Sequence, residues 1–158
     1  MGAGIIIVLV WAALMCVPSA CRAADVCPWL NNATASGIFG GRVSSATVER
    51  GQTGDDAKCS FVRHEGALAM ELRIEVETMR DLSKNPYGER CHSATAPLPA
   101  IGNKAVACSD GPLAELVVGR VRDRAFAVRL STNERGTAAG VLREEARKIA
   151  EQVAGTLF

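Results

Sequence analysis

The chain has 158 residues, 48% of them apolar and only 4% aromatic, with a formal net charge of +1. That length suits one compact domain of about 100 to 200 residues. A charge so near zero excludes bulk attraction to nucleic acid or to an acidic membrane surface and leaves any such partner dependent on a local patch. With so few rings, the core has to come chiefly from Val, Leu, Ile and Ala.

Residues 1–18 carry no charged side chain, and the run from Ile5 to Leu14 is followed by small residues from Pro18 to Ala24. This is the pattern of a secretory signal, a greasy stretch ahead of a small-residue cleavage site. Cleavage after Ala23 would leave a single domain over 24–158. Two other outcomes stay open: lipid attachment at Cys21, and retention of the apolar segment as a membrane anchor, although it falls short of the roughly 20 residues that a spanning helix prefers. Arg22 is the one charged residue in 1–23, so its loss leaves 17 basic residues against 17 acidic ones. The expected location is periplasmic or extracellular, either free or anchored.

Along the remaining chain the pattern passes from short helix to strands twice. Asn31 is placed to cap a helix over 32–39 that ends at Gly40-Gly41, although Gly37 inside it weakens the helix by roughly 1 kcal/mol relative to alanine. A strand is predicted over 43–49, then a hairpin of 59–64 and 68–76 turning at Glu65-Gly66. In its second arm Leu68, Met70, Leu72, Ile74 and Val76 alternate with charged residues, so one face is buried and the other wet. That turn would set Phe61 opposite Met70 and Cys59 opposite Leu72. The stretch 78–99 is irregular, with a short helix predicted over 79–84 and turn chemistry at Asn85-Pro86-Tyr87-Gly88. A strand over 105–109 follows, then a hairpin of 115–121 and 124–130 about Arg122-Asp123, with Val117 against Val128 and Gly119 against Phe126. Over 138–157, Leu142, Ala146, Ile149, Val153 and Leu157 recur at helical spacing, with Glu144 and Lys148 as an outer pair, as in an amphipathic helix lying on a sheet. The expected fold is α+β: an antiparallel sheet of about six strands, in two pseudo-repeated halves each led by a short helix, with a long C-terminal helix on one face.

Cys27, Cys59, Cys91 and Cys108 lie outside the leader. In an exported domain an even set reads first as two disulfides, and four cysteines permit three pairings. A metal site is not expected, because the cysteines lie far apart and Cys91-His92 has no second pair to complete a tetrahedron. Nor does any cofactor motif occur.

Cys27-Pro28-Trp29-Leu30-Asn31, Ala35, Ile38-Phe39-Gly40-Gly41 and then Cys59-Ser60-Phe61 together resemble the opening of uncharacterised exported bacterial proteins, including the domain of unknown function found in actinobacterial lipoproteins. The resemblance covers 27–61 by motif and the rest by element order. It implies export and an α+β fold, favours Cys27 with Cys59 and hence Cys91 with Cys108, and brings no activity or catalytic residue. On the loop-entropy argument each bond would stabilise by roughly 3 to 4 kcal/mol at most.

Candidate chemistry is sparse. His64, at a hairpin end beside Glu65, and His92, in a loop, could serve as a general acid or base only in a cleft that brings a carboxylate to them. Ser60 and Ser109 lack the setting of a nucleophile. Arg120, Arg122, Arg124 and Arg129 form a basic hairpin suited to carboxylates or phosphates, or equally to protecting a sheet edge. The resulting expectation is a non-catalytic exported or envelope domain that binds a ligand, a polymer, a membrane surface or a protein partner. Its rival is a small exported hydrolase using His64 or His92.

Overall fold

The computed structural model describes residues 26–51, 53, 56–84, 86–93 and 95–158. The expected leader, with Cys16 and Cys21, lies outside the described residues. The elements run α1 (Asn32–Ile38), β1 (Ser45–Arg50), β2 (Ala57–Glu65), β3 (Leu68–Thr78), β4 (Ala96–Pro97), β5 (Lys104–Ser109), β6 (Ala114–Val121), β7 (Arg124–Thr132) and α2 (Ala139–Thr156), with one 3₁₀ turn at Gly88–Arg90. The strands form one antiparallel sheet in the order β1-β2-β3-β7-β6-β5-β4.

Local chemistry accounts for most of these boundaries. The Asn31 side chain accepts a hydrogen bond from the Thr34 amide at 2.8 Å and starts α1. At its end Gly40 takes a left-handed φ of +62°, and the Gly41 amide donates to the Ser36 carbonyl, a Schellman closure. The β2–β3 hairpin turns at Gly66-Ala67, because Gly66 supplies the positive φ that the first residue of such a turn needs. Its register is therefore shifted by two from the expected one: Phe61 faces Leu72 and Cys59 faces Ile74. A two-residue slip keeps every side chain on its own face, so the same residues are buried. The β6–β7 hairpin has Val117 opposite Val128 and Gly119 opposite Phe126. Its turn residue Arg122 carries a positive φ of 54°, and its amide donates to the Asn103 side chain.

One sheet face carries the main core. Phe61, Leu72, Ile74, Phe126, Val128 and Leu130 pack beneath Leu142, Ala146, Ile149 and Val153 of α2, with Trp29 and Phe39 from the α1 region alongside. Each such large apolar side chain stabilises by about 1.5 to 3 kcal/mol when buried. On the opposite face a second cluster of Met79, Tyr87, Cys108, Leu116, Val118 and Ala127 lies under the segment that follows β3. Cys27 is joined to Cys59 and Cys91 to Cys108, with Cα separations of 5.8 and 5.7 Å. The first bond ties the entry to α1 onto β2, and the second ties the cover onto β5.

Three expectations need correction. The sheet has seven strands, the seventh being the two-residue β4; a segment that short, ending in Pro97, has no alternation to reveal it. No α-helix forms over 79–84, because the Asp81 carboxylate accepts from both the amide and the hydroxyl of Ser83 and diverts the amide that a helix would use. The second half is thus led by the 3₁₀ turn rather than by a helix. Among the described residues, no helix is long and apolar enough to cross a membrane.

Candidate functional site

An open groove of about 1020 Å³ lies between the ends of β1, β2 and β3 and the segment that leaves β3. Its strand side presents Glu49, Arg50, Lys58 and Glu77, and its segment side Arg80, Lys84 and Glu89, over an apolar floor of Ala57, Val76, Met79, Pro86 and Tyr87. Alternation explains the strand side. Glu49, Lys58 and Glu75 form one cross-strand row on the wet face, and Glu77 lies one step further along β3.

Asp56 fixes the end of this groove. Its carboxylate accepts from the Thr78 amide at 2.8 Å and the Thr78 hydroxyl at 2.7 Å, which joins the start of β2 to the end of β3. Partial burial pushes its pKa up, but hydrogen bonds from Thr53 and Thr78, with Arg124 nearby, outweigh this and hold the carboxyl below its ordinary value. Tyr87, the sole tyrosine, is 6% exposed. Burial, then the negative charges of Glu75 and Glu77, push its phenol far above the usual value, so it stays protonated. Arg90 lies over the ring, 5.7 Å from its centroid, and its guanidinium meets Glu75 at 2.9 Å. Lys58 approaches the same carboxylate at 3.9 Å. Glu75 is thereby satisfied within the protein. The side chains of Glu49, Glu77, Glu89, Arg80 and Lys84 make no hydrogen bond or ion pair with any described residue.

A second, shallower hollow of about 580 Å³ contains His64, Glu71, Arg129, Ser131 and Asn133. Here Arg129 is committed to Asp110 at 2.6 Å and to the Ser131 hydroxyl at 3.0 Å, while Glu71 accepts from Arg73 and Ser60. The His64 imidazole, although in the hollow, makes no hydrogen bond with any described residue; its backbone amide donates to Ser44. His92 is exposed on the cover, outside both concavities.

The basic hairpin is dispersed. Arg120 donates to the Leu82 carbonyl at 2.7 Å, Arg122 occupies the turn, and Arg124 lies at the β7 end facing Thr78. Arg129 is five positions along the same strand, about 16 Å at the usual rise per residue, and it is already ion-paired. No group of His, Cys, Asp or Glu among the described residues could hold a metal ion. One buried acid escaped sequence reasoning: Glu115, 2% exposed, accepts from Ser109 at 2.7 Å and from Arg143 of α2 at 3.0 Å.

The groove escaped it too. Its lining comes from strand ends and an irregular segment, and only the lone Tyr87 in a charged stretch marks it in the sequence. Fold and concavities together define a disulfide-bonded α+β domain with a mixed-charge surface groove. Comparison with protein-family models, with curated proteins and with solved structures finds no match.

Proposed function

We propose that the protein is an exported, disulfide-stapled domain that binds its ligand without transforming it, and that the groove beside β1, β2 and β3 is the binding site. The observation that carries this reading is a groove of about 1020 Å³ whose apolar floor is bordered by charged side chains of both signs without partners among the described residues. Ligand sites combine an apolar body with a few charged groups in this way, at volumes of about 300 to 1,000 Å³. Export is supported by the two disulfides, which belong to an oxidising compartment, and by the leader pattern. We place the chain with the exported bacterial proteins that its opening resembles; the capped α1 with its glycine closure supports this. The two meanders, β1 to β3 and β5 to β7, meet through their third strands and hold one disulfide each, which supports reading them as pseudo-repeats.

Amide and ring shifts of the isotope-labelled protein, followed while mixtures of short peptides, amino sugars and polyanions are added, test the site. Perturbation at Val76, Met79 and Tyr87 is the expected outcome. Perturbation confined to Val62, His64 and Ala69 would move the site to the second hollow. That hollow sustains the rival hydrolase reading, because it holds His64 with Glu71 and Ser131. Ester hydrolysis abolished by His64→Ala would establish the rival and overturn the non-catalytic reading.

A further inference from the structure

We infer that the groove takes a short zwitterionic peptide, with its free ammonium on the strand side and its free carboxylate on the segment side. The inference rests on the groove being the binding site and adds the chemistry of its ligand.

Among the described residues, the free charge differs between the two sides of the wall: carboxylates alone on the strands, and two cations with one carboxylate on the segment. On the strands, Glu49 of β1 and Glu77 of β3 flank Lys58, whose ammonium is turned to Glu75 and shared there with Arg90. The strand side therefore keeps two carboxylates without a partner among the described residues, while its cations Lys58 and Arg50 are both engaged. On the segment, Asp81 is satisfied by Ser83, whereas Arg80 and Lys84 have no acceptor among the described residues. The segment is held in place independently: the Met79 amide donates to the Asp123 carbonyl, Arg120 reaches the Leu82 carbonyl, and Cys91 is bonded to Cys108. Among the described residues the segment's cations make no ion pair across the groove to these carboxylates.

A ligand with one charge of each sign completes both sides at once. A ligand with a single charge completes one side and leaves the other opposed to water only. Glu89, a third free carboxylate on the segment, tips the balance slightly negative, so a ligand of net charge zero is tolerated and a polyanion is disfavoured. Between the two sides, Ala57, Val76, Met79, Pro86 and the Tyr87 ring offer apolar contact to short aliphatic side chains.

Tetra-alanine provides the test in four forms: free, N-acetylated, C-amidated and blocked at both ends. With the full-length protein, shift titrations should give a Kd for the free peptide at least about tenfold below either singly blocked form, with perturbation at Tyr87. Glu49→Gln with Glu77→Gln should make binding indifferent to N-acetylation. Arg80→Gln with Lys84→Gln should make it indifferent to C-amidation. All four side chains are exposed, so these variants keep the fold. Equal affinity for all four peptides, with shifts at Tyr87, would overturn the zwitterion assignment and leave the groove as a binding site. Shifts confined to His64 and Ala69 would overturn the groove itself. Failure of every form to bind at millimolar concentration would overturn the peptide assignment.

Discussion

Asp56 carries more structural consequence than any other single side chain near the groove, because it joins the β1–β2 connection, the start of β2 and the end of β3. Replacing it by alanine removes the acceptor for the Thr78 amide and hydroxyl, and a partly buried donor left without a partner costs about 1 to 3 kcal/mol. Its pH dependence has a defined sign. The folded-state pKa lies below the ordinary 3.8, so the unfolded chain binds the proton first as the solution is acidified. The stabilisation is fully present above about pH 4 to 5, and it is lost as pH falls through the lowered value. Denaturation of wild type and Asp56→Asn should therefore converge at low pH; a stability difference that grows on acidification would contradict the assignment. Glu115 shows what sequence could not supply at this scale. On the chain it is a charge beside a basic hairpin, and its burial follows only from α2 bringing Arg143 onto β6. Removing Arg143 would leave a carboxylate 2% exposed without its charge partner, the arrangement in which breaking an ion pair is most damaging.

Elements with an unbroken period were legible, and those positioned by tertiary contact were not. The alternation of Leu72, Ile74 and Val76 places them on the core face, and the spacing of Leu142, Ala146, Ile149 and Val153 gives the buried stripe of α2. On the outer face of that helix the partners differ from expectation: Lys148 pairs with Glu145, and Glu144 with Arg147, because neighbours three residues apart compete with those four apart. The cover after β3 has no period at all. It is ordered by Met79 and Tyr87 entering the second cluster and by the bond from Cys91 to Cys108. Replacing both of these cysteines by alanine should lower stability by about 3 kcal/mol and speed amide exchange at Tyr87 and Leu116. Protection at Phe61 and Leu72 should stay close to wild type. Uniform loss of protection across the sheet would show that the bond serves the whole fold rather than the cover.

For the whole molecule, the expected leader and the disulfides have to agree on the compartment. Expression in a secreting bacterial host should yield a chain beginning at Ala24 with four fewer thiols than cysteines counted from Cys27 onward; intact mass and thiol titration read both. A diacylglyceryl mass on Cys21 would establish the anchored form, and four free thiols in exported protein would contradict the staple. Composition gives the charge balance, since that is a sum over residues. The groove is a relation between strand ends and a cover, which no sum contains. The order of the sheet has a further consequence, for assembly. Every strand pair but one joins neighbours along the chain, and β3 with β7 is the exception. Such a distant pairing closes its loop at the greatest entropic cost and so forms late. Both disulfides close within their own side of that seam, Cys27 to Cys59 before it and Cys91 to Cys108 after it. A chain cut between Lys84 and Cys91 would therefore separate into two individually cross-linked pieces, each keeping its own meander, that rejoin by zipping β3 against β7.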